Sequence, residues 1–495
     1  MIRFKINLAG ALAALVTLLA MAAPALAKTY EVTRTDDPVP GPCKASDCSL
    51  REAISAANAH GGADTVSLRG GKIYSIEIPG ANEDANTTGD LDVGPGGLTI
   101  TRSGRGWATV DGEGLDRVLD IPPVLLPPIS SLAIAHLTVR GGDTTATTDA
   151  GGGIQSRGEL TVLDSKIVSN HAVHGGGGIS ALGALTVTHS VIASNEVLSG
   201  NGVYGGAGIG ARGELKLSDV TVRGNTSGNS GGGVLWSAGF GNSNATLQGV
   251  SVMGNDAGTS GGGLYLEAVS GNRATIAKST IAGNDAGQRG GGVYTAAELR
   301  IVKSTLNGND AGTNGGGIAN VTEGGGLPGA LTMENDTVAG NSAGSFGGGI
   351  DVYDGATATL NNVTVVYNDA DSDSLGPGQG GGVQNGSAAG AVTLDNSLIA
   401  LNSGVSGPDC AGFGYASGGY NLVSTTADCT GIGATGDREV GVPRIGVLAA
   451  NGGPTKTIAL RKGSVAINHG GSDCEKTDQR GVKRHNCDIG AYERR

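Results

Sequence analysis

The chain has 495 residues, 92 of them glycine, only 3% aromatic residues and a formal net charge of −12. An acidic chain without a run of Lys or Arg offers no basic face to phosphates, which disfavours a nucleic-acid partner. No apolar stretch of about 20 residues follows the first 30 positions, so no membrane span is expected in the mature chain.

Residues 1–27 read as an export leader. Arg3 and Lys5 supply a basic start, Leu8 to Leu19 an apolar stretch, and Ala25-Leu26-Ala27 a small-x-small cleavage pattern that makes Lys28 the expected mature N-terminus. Export favours oxidised cysteines. Six thiols allow fifteen pairings, and proximity in the chain favours Cys43–Cys48, Cys410–Cys429 and Cys474–Cys487. None of these pairs has the CxxC spacing of a zinc site.

Residues 28–63 are expected to cap one end of the molecule. A short helix is predicted from Cys48-Ser49-Leu50-Arg51-Glu52-Ala53, where Ser49 and Glu52 form a capping box. Leu50, Ile54 and Ala57 share its apolar face, and Gly61-Gly62 stop it. Residues 64–150 are predicted to form two or three irregular coils, with Ile121–Pro128 as a loop or coil corner.

The centre of the chain, 151–402, is repetitive. Between Leu160 and Asn402 an eleven-residue pattern occurs nine times, as in LTVLDSKIVSN (160–170) and ATIAKSTIAGN (274–284). It closes every time on asparagine: Asn170, Asn195, Asn225, Asn255, Asn284, Asn309, Asn341, Asn368 and Asn402. A glycine-rich triplet and an aliphatic residue follow. The period of 25 to 34 residues identifies a solenoid. Each repeat holds three short segments of two-residue alternation, the signature of strands with one face buried. The predicted fold is therefore an all-β, right-handed parallel β-helix with three strands per coil. Its aliphatic rows stack about 4.8 Å apart, and each buried Leu, Ile or Val contributes roughly 1.5–3 kcal/mol. Buried amides must satisfy their donors and acceptors, so the nine asparagines are expected to form a structural ladder. The Asn-Asp-Ala-Gly runs that begin at Asn255, Asn284 and Asn309 read as turns.

These repeats resemble the right-handed parallel β-helix family shared by pectin lyases and the repeats of polymorphic outer-membrane proteins. The string at 48–53 resembles, letter for letter, the CSLREA motif, which names a domain found at the start of exported bacterial β-helices. Gly89-Asp90-Leu91-Asp92-Val93 and Val110-Asp111-Gly112 look like further parts of that pattern. In the last segment, 403–495, Asn451-Gly452-Gly453-Pro454-Thr455, Gly463 to Asn468, Asp478-Gln479-Arg480-Gly481 and Asp488 to Glu493 resemble a choice-of-anchor Q domain. The resemblance implies closure of the β-helix before a surface anchor. Val465 and Asn468 depart from its usual Pro and Asp, and nothing follows the motif, which points to secretion or periplasmic retention.

Two columns carry residues capable of chemistry. The fifth pattern position stacks Asp164, His189 and Asp219; a His between carboxylates could do acid–base work, but a solvated column is the plainer reading. The residue after each glycine-rich aliphatic is expected to point outward. There Tyr265 and Tyr294 fall on adjacent coils and can stack, with Asp351 one coil beyond the gap left by Ala319, a candidate glycan-binding surface. Asp369-x-Asp371-x-Asp373 opens like a calcium loop, although Ser374 and Gly380 replace the expected Gly and Glu. His171 and His174 form a metal pair without a third ligand. No catalytic residue is assigned and no cofactor is required, with calcium the candidate metal. A monomer is expected. The functional reading is an exported or cell-surface protein, non-catalytic, in adhesion or glycan contact. A polysaccharide lyase or glycoside hydrolase of the same fold, and a passive envelope scaffold, remain as alternatives.

Overall fold

The structure, a computed structural model, describes residues 26–495 apart from 82, 124–129, 147–148, 199–204, 239–242, 270, 323–327, 389–390 and 427–428. The expected leader therefore lies almost wholly outside the described residues, as does most of the loop at 121–128. No described helix is long and apolar enough to cross a membrane.

The chain winds as a parallel β-helix. Three long sheets of 14, 14 and 12 strands run its length, and each coil contributes one strand to each in turn. The registers follow the sequence pattern. Leu160 pairs with Leu185 and then Leu215; Ile167 with Ile192 and Val222; Ile154 with Ile179 and Ile209. All nine side chains are buried and form continuous aliphatic rows inside the coil. A fourth, seven-stranded sheet was not foreseen. Its two-residue strands, such as Asp256–Ala257, Asp285–Ala286 and Asp310–Ala311, follow the ladder asparagines directly, so the Asn-Asp-Ala-Gly runs are strand pairs, not turns.

The asparagines form the expected ladder. Each Nδ2 from Asn170 to Asn368 donates to the Oδ1 of the next asparagine at 2.8–3.0 Å. The same Oδ1 accepts the preceding asparagine's backbone N–H at 3.0–3.2 Å. From Asn195 onward, the second Nδ2 proton goes to a carbonyl of the preceding coil at 3.0–3.2 Å, Ile167 for Asn195 and Val252 for Asn284. An amide has two donors and two acceptor sites, and here all four are used. The ladder ends on Asp409, whose Oδ1 accepts both bonds from Asn402.

Two backbone kinks per repeat explain the composition around the ladder. The residue before each asparagine is left-handed, with φ between 54° and 66°, and is glycine in five of the nine coils. The fifth pattern position is also left-handed, with φ of 43–65°, which is why Asp, Asn and Gly recur there. Beside it a second polar ladder runs through serines: Ser165 N–H donates to Ser190 Oγ (3.0 Å), and Ser279 N–H to Ser304 Oγ (3.2 Å).

The N-terminal helix spans Leu50–His60 with its capping box formed and Gly61 left-handed at its end. Leu50, Ile54 and Ala57 are buried as expected. Arg51 is buried as well. It is paired with Asp37 at 2.9 Å and donates to the carbonyls of Gly89 (2.6 Å) and Asp90 (2.8 Å), tying the helix to the first coils. Disulfides join Cys43–Cys48, Cys410–Cys429 and Cys474–Cys487.

The last residues lie along the flank of the coil. Ile445, Ile458, Leu460, Ala466 and Ile489 pack against Ala339, Val366, Leu398 and Ala400, outward residues of the second sheet. Gln479 Nε2 reaches Ser304 O (3.0 Å), and Arg484 Nη2 reaches Asn335 Oδ1 (2.9 Å). The fifth-position column, expected to face solvent throughout, is consequently buried at Asn335, Asn362 and Asn396.

Candidate functional site

The outward column of the third sheet does not face open solvent. Tyr265 and Tyr294 are in-register partners, followed by Ala319, Asp351 and Gln384 on successive coils. Tyr294 is only 3% exposed and Asp351 1%. The cause is the turn that leads into each strand. Its first glycine, at positive φ, lies directly on the column residue: a Cβ on Gly261 would sit 2.8 Å from the Cβ of Tyr265, and one on Gly347 would sit 2.7 Å from that of Asp351. Only glycine lets the chain fold back so closely.

The tyrosines stack, with ring centroids 4.7 Å apart and planes 10° from parallel. They belong to a small apolar cluster with Ala296, Ala319 and Val321. Tyr294 is covered by this packing, and Tyr265 is half-buried.

Asp351 belongs to a different grouping. It forms the floor of a depression of about 240 Å³ lined by Arg289, Asn314, Phe346, Tyr353, Gln384 and Gly386. Asn314 Nδ2 donates to Asp351 Oδ2 at 3.0 Å. Burial pushes the Asp351 carboxyl up to about 7, a rise opposed by the Asn314 hydrogen bond and the charge of Arg289. Tyr353 is 45% exposed, and the Arg289 guanidinium lies 5.9 Å from its ring centroid. The Gln384 Oε1 is buried without a partner.

The sequence brought forward Asp351 but not its companions. The missed signal is the residue before each glycine triplet. Ser260, Arg289, Asn314, Phe346 and Gln379 bridge one another in parallel and form a column of their own. Variation in that column from coil to coil builds the rim of the depression.

The other candidates are arranged as follows. His189 lies 3.9 Å from Asp164 and 3.6 Å from Asp219 on an open surface, with its own side chain 56% exposed. Asp369 and Asp373 turn their Oδ1 atoms onto the backbone N–H groups of Asp371 (3.3 Å) and Leu375 (2.9 Å). Asp371 Oδ1 is buried without a partner. Asp369, Asp371 and Asp373 do not converge on a common point. Among the described residues, the three carboxylates that do are Asp84, Asp92 and Asp120, in the first coils. His171 opens a strand of the short fourth sheet, and His174 Nδ1 is buried without a partner.

No protein-family model matches the chain, and no curated protein matches it. Among solved structures, one described as the crystal structure of pectate lyase Pel9A is similar, at 15% identity and a TM-score of 0.40. The match covers 94% of this chain and 96% of that one.

Proposed function

We propose that the chain is an exported or cell-surface β-helix that contacts a glycan, without turning it over, through the depression around Asp351. The supporting observation is that lining: one carboxyl, one guanidinium and two amides beside the aromatic rings of Phe346 and Tyr353. Sugars are held by that combination of polar groups at a ring edge and an aromatic face. Hydrolysis of a glycosidic bond uses a pair of carboxyl groups, and Asp351 is the single carboxyl among the described lining residues. The three disulfides and the lack of a membrane-spanning helix among the described residues are compatible with an extracellular place. The resemblances at the two ends of the sequence favour an exported surface protein.

A lyase is the second reading. A carboxyl raised to about 7 beside Arg289 has the proton affinity of a general base. A glycan array with wild type, Tyr353→Ala and Asp351→Asn tests the binding reading; we expect wild-type signal that either variant reduces at least tenfold. Parallel incubation with plant and bacterial polysaccharides, read by unsaturated-product absorbance and reducing ends, should show no turnover. Turnover abolished in Asp351→Ala would replace the binding reading by the lyase. A blank array would leave the scaffold reading.

A further inference from the structure

A second group of carboxylates lies far along the chain from Asp351. Asp92 ends the strand Leu91–Asp92, and Asp120 occupies the middle of Leu119–Ile121. The two are in-register partners on neighbouring coils. Asp84 joins them from the preceding loop, and one ligand oxygen from each lies within 4.8 Å of the others. Asp92 and Asp120 are 1% and 3% exposed. Each keeps its Oδ1 buried without any hydrogen-bond partner, while Asp92 Oδ2 accepts the Asn86 N–H at 2.9 Å.

Among the described residues no ion pair reaches Asp84 or Asp92, and Asp120 has one, to Arg157. Asp90 and Asp116 add two further buried carboxylates. Arg117 is engaged by Asp90 and by Gln155, and Arg51 by Asp37. Arg157 reaches only within 3.7 Å of Asp120 Oδ2. Like charges directly opposite in a sheet repel, and buried charges persist when paired or when they coordinate a metal. A cation among these carboxylates answers both conditions.

We propose that Asp84, Asp92 and Asp120 bind a calcium ion. The donors are all carboxylate oxygens, without His or Cys, which selects a hard cation. Calcium tolerates irregular oxygen sets, whereas magnesium demands near-octahedral geometry. Asp92 and Asp120 supply ligands from adjacent coils, and the exposed Asp84 leaves a side for water and for entry. The site is also joined to the capping helix, because Arg51 holds the carbonyls of Gly89 and Asp90, and Asn86 Nδ2 donates to Arg51 O at 3.0 Å. The ion therefore fastens the first two coils beneath the cap.

The test uses the full chain after chelator treatment, titrated calorimetrically with calcium chloride and with magnesium chloride, and melted with and without calcium. Wild type should take up one calcium at this site and melt about 3 °C or more higher at a hundredfold excess over Kd. Asp92→Asn and Asp120→Asn should lose the rise. Asp84→Asn changes only the exposed member, so the fold is retained and affinity should fall at least tenfold. Asp371→Asn, in the loop at 369–373, should keep the wild-type response. No calcium uptake by wild type, or unchanged affinity in Asp84→Asn, would overturn the proposal. So would a response lost in Asp371→Asn and kept in Asp92→Asn.

Discussion

Two stacks of like polar side chains run along this coil, and they meet burial in opposite ways. In the ladder, each amide from Asn195 to Asn368 accepts from the asparagine before it and donates to the one after, so adding a coil adds a complete set of bonds. In the stack of Asp92 on Asp120, the ionised carboxylates can only accept, and each is left with an orphaned oxygen. The same translation between coils makes the first stack self-sufficient and the second dependent on a proton or a cation, and burial with the neighbouring carboxylates already pushes the Asp92 carboxyl up to about 8. Asp409 shows the compatible use of a carboxylate: placed at the end of the amide ladder, it has only to accept. Asp256, Asp285 and Asp310 show the third solution. They are also in register, but their side chains reach water, and the strain shows only as a raised Asp285 carboxyl, from partial burial first and then the charges of Asp310 and Asp256.

The comparison breaks most severely if a carboxylate is moved into the amide ladder. Asn284→Asp would set an acceptor against Asn309 Oδ1 and Val252 O, which now accept from the Asn284 amide. Its cost is expected at about 3 kcal/mol or more, visible as a lowered denaturant midpoint with the slope unchanged. Asn284→Ala should cost somewhat less and leave any glycan binding intact.

A smaller effect is expected at Asp351, and it carries a sign. Its carboxyl is held at about 7 in the folded chain, against about 3.9 when unfolded. The folded state therefore binds the extra proton between those values. That contribution to stability is full below about pH 4 and is lost as pH rises through about 7. Asp351→Asn, which cannot titrate, should gain on wild type as pH is raised from 4 to 8. A difference between the two that stays constant over this range would show that Asp351 titrates normally. The smallest effect should come from His189→Ala. Its partners Asp164 and Asp219 are exposed and 3.6–3.9 Å away, so stability should change by less than about 0.5 kcal/mol.

What the sequence made legible was whatever recurs in phase. The nine asparagines, the three aliphatic rows and the capping box each repeat a local pattern or satisfy a local rule. What it hid depends on how the chain folds back on itself, locally at the glycine turns and between segments distant in the chain elsewhere. The outward column looked solvent-facing because alternation reports direction, not what the incoming glycine turn lays over it at Gly261 and Gly347. The flank packing of the C-terminal residues had a trace: outward positions of the second sheet change from Arg223 and Met253 to Val366, Leu398 and Ala400. The rim of the depression was hidden because Arg289, Asn314 and Phe346 stand outside the eleven-residue pattern. Asp92 and Asp120 were visible as letters, but only the register shows that they lie on each other.

The stacking itself is tested most directly by a double-mutant cycle on two ladder neighbours, Asn284→Ala and Asn309→Ala, with Asn170→Ala and Asn368→Ala as a distant pair. Neighbours bonded amide to amide should show a coupling of about 1 kcal/mol, and the distant pair should be additive within about 0.5 kcal/mol. Additivity in the neighbouring pair, equal to that of the distant one, would mean that the amides do not bond from coil to coil.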